Sequence, residues 1–432
     1  MTNNKILKNL IWLFFDKGIR IFGGLFIGIW IARYLGPSDF GVLNYALAYT
    51  AFFLLFVKLG LDQIIVREIV RKPKLTSYFL GTAFGLKLIG SVVSIFSIYV
   101  SLFFVEADST TKIVIFIISA GFVFQSLDVI DYFYQSKVLS KYVVIARNSA
   151  FILSSLLNVY LLVYEYDVIY FALANTINLA LSGAFLVFVY KKTGGSIRKW
   201  RFSKKIAIRL LKFSWPLALS VFLISIHMKI DQVMIGNMLD TEQVGIYSVA
   251  VRLAEFWIFI PAILVSTLMP YFVNLRETSS ESYHRRLIQL YSLMFWMGVA
   301  VGLVTIIFGE DIIQLLFGED YIGAYGALVF NIWNGIFISQ ALARGIWMVS
   351  EDLQKYRLYN NIIAVILNVT VNILLIPTLG ITGAAIATLS AQALSTWVFS
   401  FLWRPLRTST WAMIRSVNPI YLLNFKKGEG WN

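Results

Sequence analysis

The first apolar segment of this 432-residue chain carries charged side chains whose spacing could bind an anion. Arg20 follows Asp16 by four positions and so lies on the same face of a helix, and Lys17 lies beside them. A charge within a membrane helix costs roughly 3 kcal/mol or more, so it usually faces a cavity or a charged partner. We predict that Arg20 and Lys17 contact an anionic substrate. The alternative is that Asp16 and Arg20 only neutralise each other.

Two further cations lie inside apolar segments. Lys87 is embedded in the sequence GTAFGLKLIG, and Arg252 precedes Glu255 by three positions in a later segment. Lys87 could line a cavity or extend its ammonium toward the membrane surface. Arg252 could bind substrate or pair with Glu255. We predict Arg252 and Lys87 as further substrate contacts.

Embedded carboxylates are candidates for coupling transport to a proton or sodium gradient. The candidates are Asp16, Asp231 and Glu255. Asp128 and Asp131 also lie within an apolar segment. For such carboxylates the alternative is an ion pair at a helix end, with Lys137 or Lys229 as the partner.

Long apolar segments must position these side chains. The chain is 59% hydrophobic and 14% charged, whereas soluble domains carry about 25% charged residues. A membrane core about 30 Å thick needs about 20 apolar residues per helix. We place such segments at 9–34, 41–60, 76–104, 112–134, 142–164, 168–190, 209–236, 244–271, 286–309, 320–349, 357–378 and 380–403. The sequence therefore predicts an all-α integral membrane protein with twelve transmembrane helices.

Basic residues concentrate at the two ends of the chain and in every second gap between these segments. The gap after 41–60 and the gap around 191–212 are rich in Lys and Arg, whereas the alternate gaps carry mainly Asp and Glu. This alternation predicts that both termini are cytoplasmic. The basic residues that break it are Lys17, Arg20, Arg33, Lys87, Lys112, Lys229 and Arg252. Arg33 and Lys112 lie at outer helix ends, and Lys229 can extend its ammonium toward the membrane surface. This leaves the four predicted substrate contacts.

The two halves of the chain resemble each other. Residues 35–46 match 239–250, and residues 139–161 match 353–375, with Asn158 opposite Asn372. Six helices in each half give both halves the same orientation, as in transporters built from parallel repeats. We predict two six-helix repeats around a central cavity. The predicted boundaries are an N-lobe at 1–190, a basic cytoplasmic linker at 191–208, a C-lobe at 209–403 and a cytoplasmic tail at 404–432.

Several function classes lack their sequence signals. The chain has no cysteine and two histidines, and we find neither a phosphate-binding P-loop nor an HExxH motif. We therefore expect no enzymatic activity, no catalytic residues, no bound cofactor and no metal site. The net charge of +14 could indicate nucleic-acid binding. Because the charges are dispersed over short gaps, we expect contact with anionic lipid head groups and no nucleic-acid partner. The first apolar segment lacks a cleavage signal, so we expect it to be retained.

Several motifs carry a resemblance to a known family. They are IARYLGPSDFGVLNYALAYTAFFLLFVKLGLDQIIVREIVR at 31–71, FSWP at 213–216, IDQVMIGNML at 230–239 and VGIYSVAVRLAEFW at 244–257. The chain resembles bacterial polysaccharide repeat-unit flippases, the O-antigen or Wzx-type transporters of the multidrug/oligosaccharidyl-lipid/polysaccharide (MOP) superfamily. The resemblance covers essentially the whole chain.

This resemblance implies a function. Such a flippase moves an undecaprenyl-pyrophosphate-linked oligosaccharide from the cytoplasmic to the outer leaflet of the bacterial inner membrane by alternating access. It serves the synthesis of O-antigen, a part of lipopolysaccharide, or of another surface polysaccharide. A polysaccharide polymerase and a chain-length regulator are implied partners. Arg20 and Arg252 are the implied contacts for the pyrophosphate, with Lys17 and Lys87 beside them.

Two alternatives remain open. An ion-coupled multidrug or small-molecule exporter of the same superfamily would favour an acidic, aromatic cavity. A membrane-embedded polysaccharide polymerase or ligase usually carries a large outer loop with catalytic residues, and we expect no such loop here.

Overall fold

A computed structural model describes the backbone of residues 3–423 and the side chains of Trp12 and residues 16–421. Every regular element in that range is a helix. Ten helical stretches there are long and apolar enough to cross a membrane. The predicted all-α membrane fold is confirmed.

Contacts along the chain divide it into a first unit, Met1–Lys229, and a second unit, Ile230–Asn432. The helices that begin in the first unit are α1 (Asn3–Ala51), α2 (Leu54–Lys58), α3 (Asp62–Arg71), α4 (Thr76–Ser101), α5 (Ser109–Ala120), α6 (Val129–Ser136), α7 (Lys141–Val163), α8 (Val168–Lys192) and α9 (Lys204–Met238). The division falls within α9 and not in the predicted linker. The predicted lobe boundaries stay a prediction.

The second unit continues from the end of α9. Its helices are α10 (Thr241–Thr278), α11 (Ser280–Phe317), α12 (Tyr325–Ser350), α13 (Lys355–Ala393), α14 (Arg407–Arg415) and α15 (Ile420–Leu423). A π-helical turn, Leu394–Val398, and a 3₁₀ turn, Phe399–Leu402, extend α13. Its core joins α10, α11, α12 and α14 around Phe272, Tyr291 and Met413.

Two helices are broken at a glycine. At 49 residues α1 would be about 73 Å long if straight, more than twice the membrane core. Gly36 has φ 68° and precedes Pro37, so the chain turns there. The predicted segment 9–34 lies before this turn, and the predicted segment 41–60 begins after it in α1 and ends beyond α2. Gly380, with φ 58°, breaks α13 in the same way between the predicted segments 357–378 and 380–403. These breaks fit twelve crossings, and the count of twelve stays a prediction.

The predicted segment at 112–134 is not one regular helix. It consists of α5, a 3₁₀ segment at Gly121–Asp128, and α6. The 3₁₀ segment packs closely on α8, where a Cβ on Gly183 would lie 2.8 Å from Leu127. The tighter winding changes the direction in which Asp128 and Asp131 project.

The segment that connects α8 to α9 is bound to α4. The backbone N–H of Arg201 donates to the carbonyl of Ser77 over 3.2 Å, and that of Ser203 donates to the Thr82 hydroxyl over 3.1 Å. Gly81 permits this approach, because a Cβ there would lie 2.5 Å from the Arg201 nitrogen. The basic segment is therefore part of the first unit.

Candidate functional site

The second unit contains one carboxylate enclosed by neutral donors. Asp231, near the end of α9, is only 6% exposed. Its Oδ1 accepts hydrogen bonds from the amide groups of Asn368, at 3.0 Å, and Asn372, at 2.7 Å. Its Oδ2 accepts from the Tyr247 hydroxyl at 2.9 Å and from the Thr388 hydroxyl. We call these five residues the Asp231 cluster.

Helical spacing assembles the Asp231 cluster. Asn368 and Asn372 are four residues apart on α13, so their side chains lie on one face. Thr388 reaches the same carboxylate because α13 turns back at Gly380. The Asn372 side-chain amide also donates to the side-chain Oδ1 of Asn368 over 3.2 Å. Both halves of α13 are therefore tied to the end of α9.

The donor set of the Asp231 cluster fits a small hard cation or a proton. Every member carries a side-chain oxygen, and oxygen is the ligand that hard cations such as sodium bind. The Asn372 Oδ1 is buried and has no hydrogen-bond partner among the described residues. An amide that turns about its Cβ–Cγ bond presents its oxygen in place of its N–H groups. The described residues contain no cluster of three or more His, Cys, Asp or Glu side chains that could hold a metal ion. At Asp231 the ligands other than its carboxylate would therefore be neutral oxygens.

The sequence duplication does not repeat this cluster. Extending the match of 35–46 with 239–250 backwards places Ile27 opposite Asp231. The match of 139–161 with 353–375 places Ser154 opposite Asn368. An isoleucine carries no charge, so the carboxylate is a property of the second half and not of the repeat.

In the first unit, Asp16 and Arg20 form the ion pair that their spacing predicts. The Arg20 Nε lies 2.9 Å from the Asp16 Oδ1. The Arg20 side chain is still 37% exposed and has further N–H donors. Lys17 is exposed beside them. Arg20 can therefore keep its ion pair with Asp16 and also donate hydrogen bonds to an anion.

Lys87 lies within a group of charges in the first unit. It is 1% exposed, and its ammonium lies 3.3 Å from the Tyr132 hydroxyl and 3.9 Å from Asp128. Arg147, on α7, lies 3.0 Å from Asp128 and 3.1 Å from Asp131. We call Lys87, Asp128, Asp131 and Arg147 the charge quartet. Its two cations balance its two carboxylates.

The alternative given for Asp128 and Asp131, an ion pair with Lys137 or Lys229, is wrong in its partners. Both carboxylates pair with Arg147 instead of Lys137 or Lys229. Sequence reasoning missed Arg147 although it lies five residues inside the predicted segment 142–164. Its depth in an apolar segment was the available signal. Lys87 remains a predicted substrate contact, but an anion reaches it only after the charge quartet opens.

The structure places Arg252 and Glu255 one turn apart on α10. Arg252 is partly buried and Glu255 is exposed. Their roles as substrate contact and coupling residue stay predictions. Glu255 does not join the Asp231 cluster, so the two predicted coupling residues of the second unit occupy different sites.

Residues 6–276 match the family model described as "Polysaccharide biosynthesis protein". The chain belongs to this polysaccharide biosynthesis family. All seven predicted site residues, from Asp16 to Glu255, lie in the matched range. Asn368, Asn372 and Thr388 lie beyond it.

Two relatives of this family member have names that describe a role. The chain is 23% identical over 405 residues to a capsular polysaccharide biosynthesis protein, CapF, of Staphylococcus aureus, covering 90% of this chain and 96% of CapF. It is 27% identical over 178 residues to a probable flippase, AglR, of Haloferax volcanii, covering 38% of this chain and 35% of AglR.

Solved transporter structures share the fold of this family member. An inward-facing MATE-family multidrug resistance transporter of the MOP superfamily superposes with a TM-score of 0.71 at 16% identity, covering 95% of this chain and 99% of the transporter. The lipid II flippase MurJ, in an inward closed conformation, superposes with a TM-score of 0.68 at 15% identity, covering 99% and 94%. The two-lobe MOP transporter fold is therefore confirmed.

Proposed function

We propose that this protein is a flippase for a lipid-linked oligosaccharide. The observation that carries the proposal is the family match over residues 6–276 on a chain with the MOP transporter fold. A capsular polysaccharide protein of nearly the same length and a probable flippase among the relatives support it. The cargo is an undecaprenyl-pyrophosphate-linked repeat unit for a surface polysaccharide such as O-antigen. It moves from the cytoplasmic to the outer leaflet of the bacterial inner membrane.

Embedded cations bind the pyrophosphate in this proposal. Arg20 carries unused N–H donors beside its pair with Asp16, and guanidinium groups bind phosphate oxygens through two parallel hydrogen bonds. Lys17 is exposed on the same helix and adds charge. Arg252 contributes from α10. Lys87 contributes only in a conformation in which the charge quartet is open.

In this proposal the Asp231 cluster couples transport to a cation gradient. A sodium ion or a proton bound at Asp231 neutralises the buried carboxylate and changes the hydrogen bonds that join α9 to both halves of α13. A ligand shifts a conformational equilibrium only through its different affinity for the two states. A cation gradient therefore biases the unit between conformations in which the cluster is open or closed.

Two measurements test the proposed function. A strain that lacks the gene should accumulate lipid-linked repeat units and lose surface polysaccharide, and the wild-type gene should restore both. Arg20→Ala and Arg252→Ala should fail to restore them at normal protein level. Arg33→Ala, which removes an exposed cation from the same helix as Arg20, is the matched control.

Two results would contradict parts of this proposal. Full restoration by both Arg20→Ala and Arg252→Ala would show that the pyrophosphate contacts are assigned wrongly. A deletion strain that accumulates no lipid-linked intermediate but becomes sensitive to cationic drugs would support a multidrug exporter instead.

A further inference from the structure

A small cavity, open to the surface, lies in the first unit between α3 and α9. Its wall is mostly apolar and includes the buried Ile64 and Phe79 and the exposed Leu75 and Phe213. An apolar cavity with exposed wall residues offers little to a sugar, which needs hydrogen-bonding groups around it. It fits a hydrocarbon chain.

The charged residues of this cavity leave an excess of positive charge. Glu68, 3% exposed, lies 3.4 Å from Arg67 through one carboxylate oxygen and 3.4 Å from Arg209 through the other. The Glu68 carboxylate is therefore shared between two guanidinium groups, and one positive charge of this group is not balanced. Lys72 lines the same cavity, is exposed, and forms no side-chain hydrogen bond or ion pair with any described residue. The ammonium of Lys72 and the exposed part of Arg209 remain available to an anion.

The position of the cavity along the helices matches the head-group region of a membrane. Both chain segments that form it begin in the gaps richest in Lys and Arg, and the charge pattern predicts that these gaps are cytoplasmic. Arg209 is five residues after the first residue of α9, about 8 Å along the helix axis. Phe213 lies one turn deeper. Along α9, Arg209 therefore lies nearer the start of the helix than Leu210 and Phe213, and the apolar Ile206 lies on the other side of it.

We propose that this cavity binds an anionic phospholipid of the cytoplasmic leaflet. One acyl chain occupies the apolar space, and the phosphate lies between Lys72 and Arg209. The lipid joins α3 to the start of α9, so its site is separate from the proposed pyrophosphate contacts and from the Asp231 cluster.

Photo-labelling of the full-length protein in vesicles tests this site. The probe is phosphatidylglycerol with a diazirine on one acyl chain, diluted into phosphatidylcholine, and labelled peptides are mapped by mass spectrometry. We expect labels in 64–79 and 204–213, and less label there from a phosphatidylcholine probe with the same chains. Equal labelling by the two probes would overturn the proposal.

Matched variants separate this site from general surface attraction. Lys72→Ala should lower cavity labelling about fivefold relative to Lys74→Ala, the effect of one cation near an anionic head group. Lys74 is an exposed neighbour that does not line the cavity. Equal labelling of the two variants contradicts the assigned phosphate position.

A second pair of variants tests occupation of the apolar space. Ile206→Trp fills the cavity and should abolish its labelling, whereas Ile208→Trp, at a 60% exposed position, should not. Unchanged labelling of the Ile206→Trp variant contradicts the proposal. So does displacement of the probe by undecaprenyl phosphate but not by an equal amount of unlabelled phosphatidylglycerol, because the occupant would then be the isoprenoid carrier.

Discussion

Asn372 on α13 donates a hydrogen bond to Asp231 on α9 over 2.7 Å, and the two residues are 141 positions apart in the sequence. Asp231 receives three further neutral donors and no cation from the described residues around it. All four side chains that donate to this buried carboxylate are neutral. That arrangement suits a site whose charge is neutralised when a cation binds.

Asp231→Asn should abolish coupling while preserving the fold. Asparagine has nearly the same shape, so packing is kept, but the formal charge that attracts a cation is lost. We expect transport in a complementation assay to fall about tenfold or more, equivalent to about 1.4 kcal/mol. Glu242→Gln, in the first turn of α10, is the control for loss of one acid in the same unit. Transport at the wild-type level in Asp231→Asn would remove this residue from the coupling mechanism.

Arg147 should be more important for stability than any exposed cation of the first unit. Arg147→Leu leaves Asp128 and Asp131 with only Lys87, and removing the partner of a partly buried carboxylate costs about 1–3 kcal/mol. Thermal unfolding in detergent measures the loss. Lys191→Leu, an exposed cation at the end of α8, should have little effect.

A second substitution tests whether the charge balance is the cause. Arg147→Leu combined with Asp131→Asn leaves Lys87 and Asp128 as a neutral pair. The double variant should be more stable than Arg147→Leu alone, and the cycle of single and double variants gives the coupling between the two positions. If the double variant loses as much stability as Arg147→Leu alone, or as much as the two single variants together, Arg147 acts through packing and not through charge.

The sequence predicted the helices and the membrane class because both depend on local composition. It also indicated Asp231 and Lys87, since a charge inside an apolar segment is visible without a structure. It did not identify Asn368, Asn372 and Thr388, because neutral polar residues are common in membrane helices and only the third dimension brings them to one carboxylate.

The pairing of charges was harder to predict for the same reason. For Asp128 the alternative to a coupling role was an ion pair at a helix end, with Lys137 or Lys229 as the partner. Its actual partner, Arg147, is 19 positions away on the next helix. The 3₁₀ segment before α6 changes which way Asp128 projects, and no periodicity argument anticipated it. Contacts over short separations follow from helix geometry, whereas contacts between helices depend on packing.

Gly81 should be intolerant of substitution because of the segment bound to α4. In Gly81→Ala the new Cβ meets the Arg201 backbone at 2.5 Å, and backbone has no alternative rotamer. We expect a loss of about 1–3 kcal/mol, typical of overpacking. Trypsin should also cleave faster at Arg198–Arg201. Gly345→Ala, where a Cβ meets nothing within 4 Å, is the matched control. Equal cleavage rates in the two variants would show that the segment is not held at Gly81.

Asp108 should make the stability of the first unit depend on pH. It precedes α5, outside the membrane-spanning stretches, and caps that helix. Partial burial would raise the pKa of its carboxyl, but hydrogen bonds from the Thr111 hydroxyl and from the backbone N–H groups of Thr111 and Thr110 outweigh it and lower the pKa below the usual value. A carboxyl with a lowered pKa in the folded state stabilises the fold above its unfolded pKa of about 3.9. This contribution is lost as the pH falls through the folded value.

Asp108→Asn keeps the helix cap, since Asn and Asp are about equally good at this position, but removes the titration. The midpoint of thermal unfolding should therefore be similar in the wild type and the variant at pH 7. Between pH 5 and about 3 the wild type should lose more stability than the variant. Thr111→Val, which removes the hydroxyl donor, should show an intermediate pH dependence. Parallel curves for wild type and Asp108→Asn would mean that the hydrogen bonds at Asp108 do not favour its ionised form.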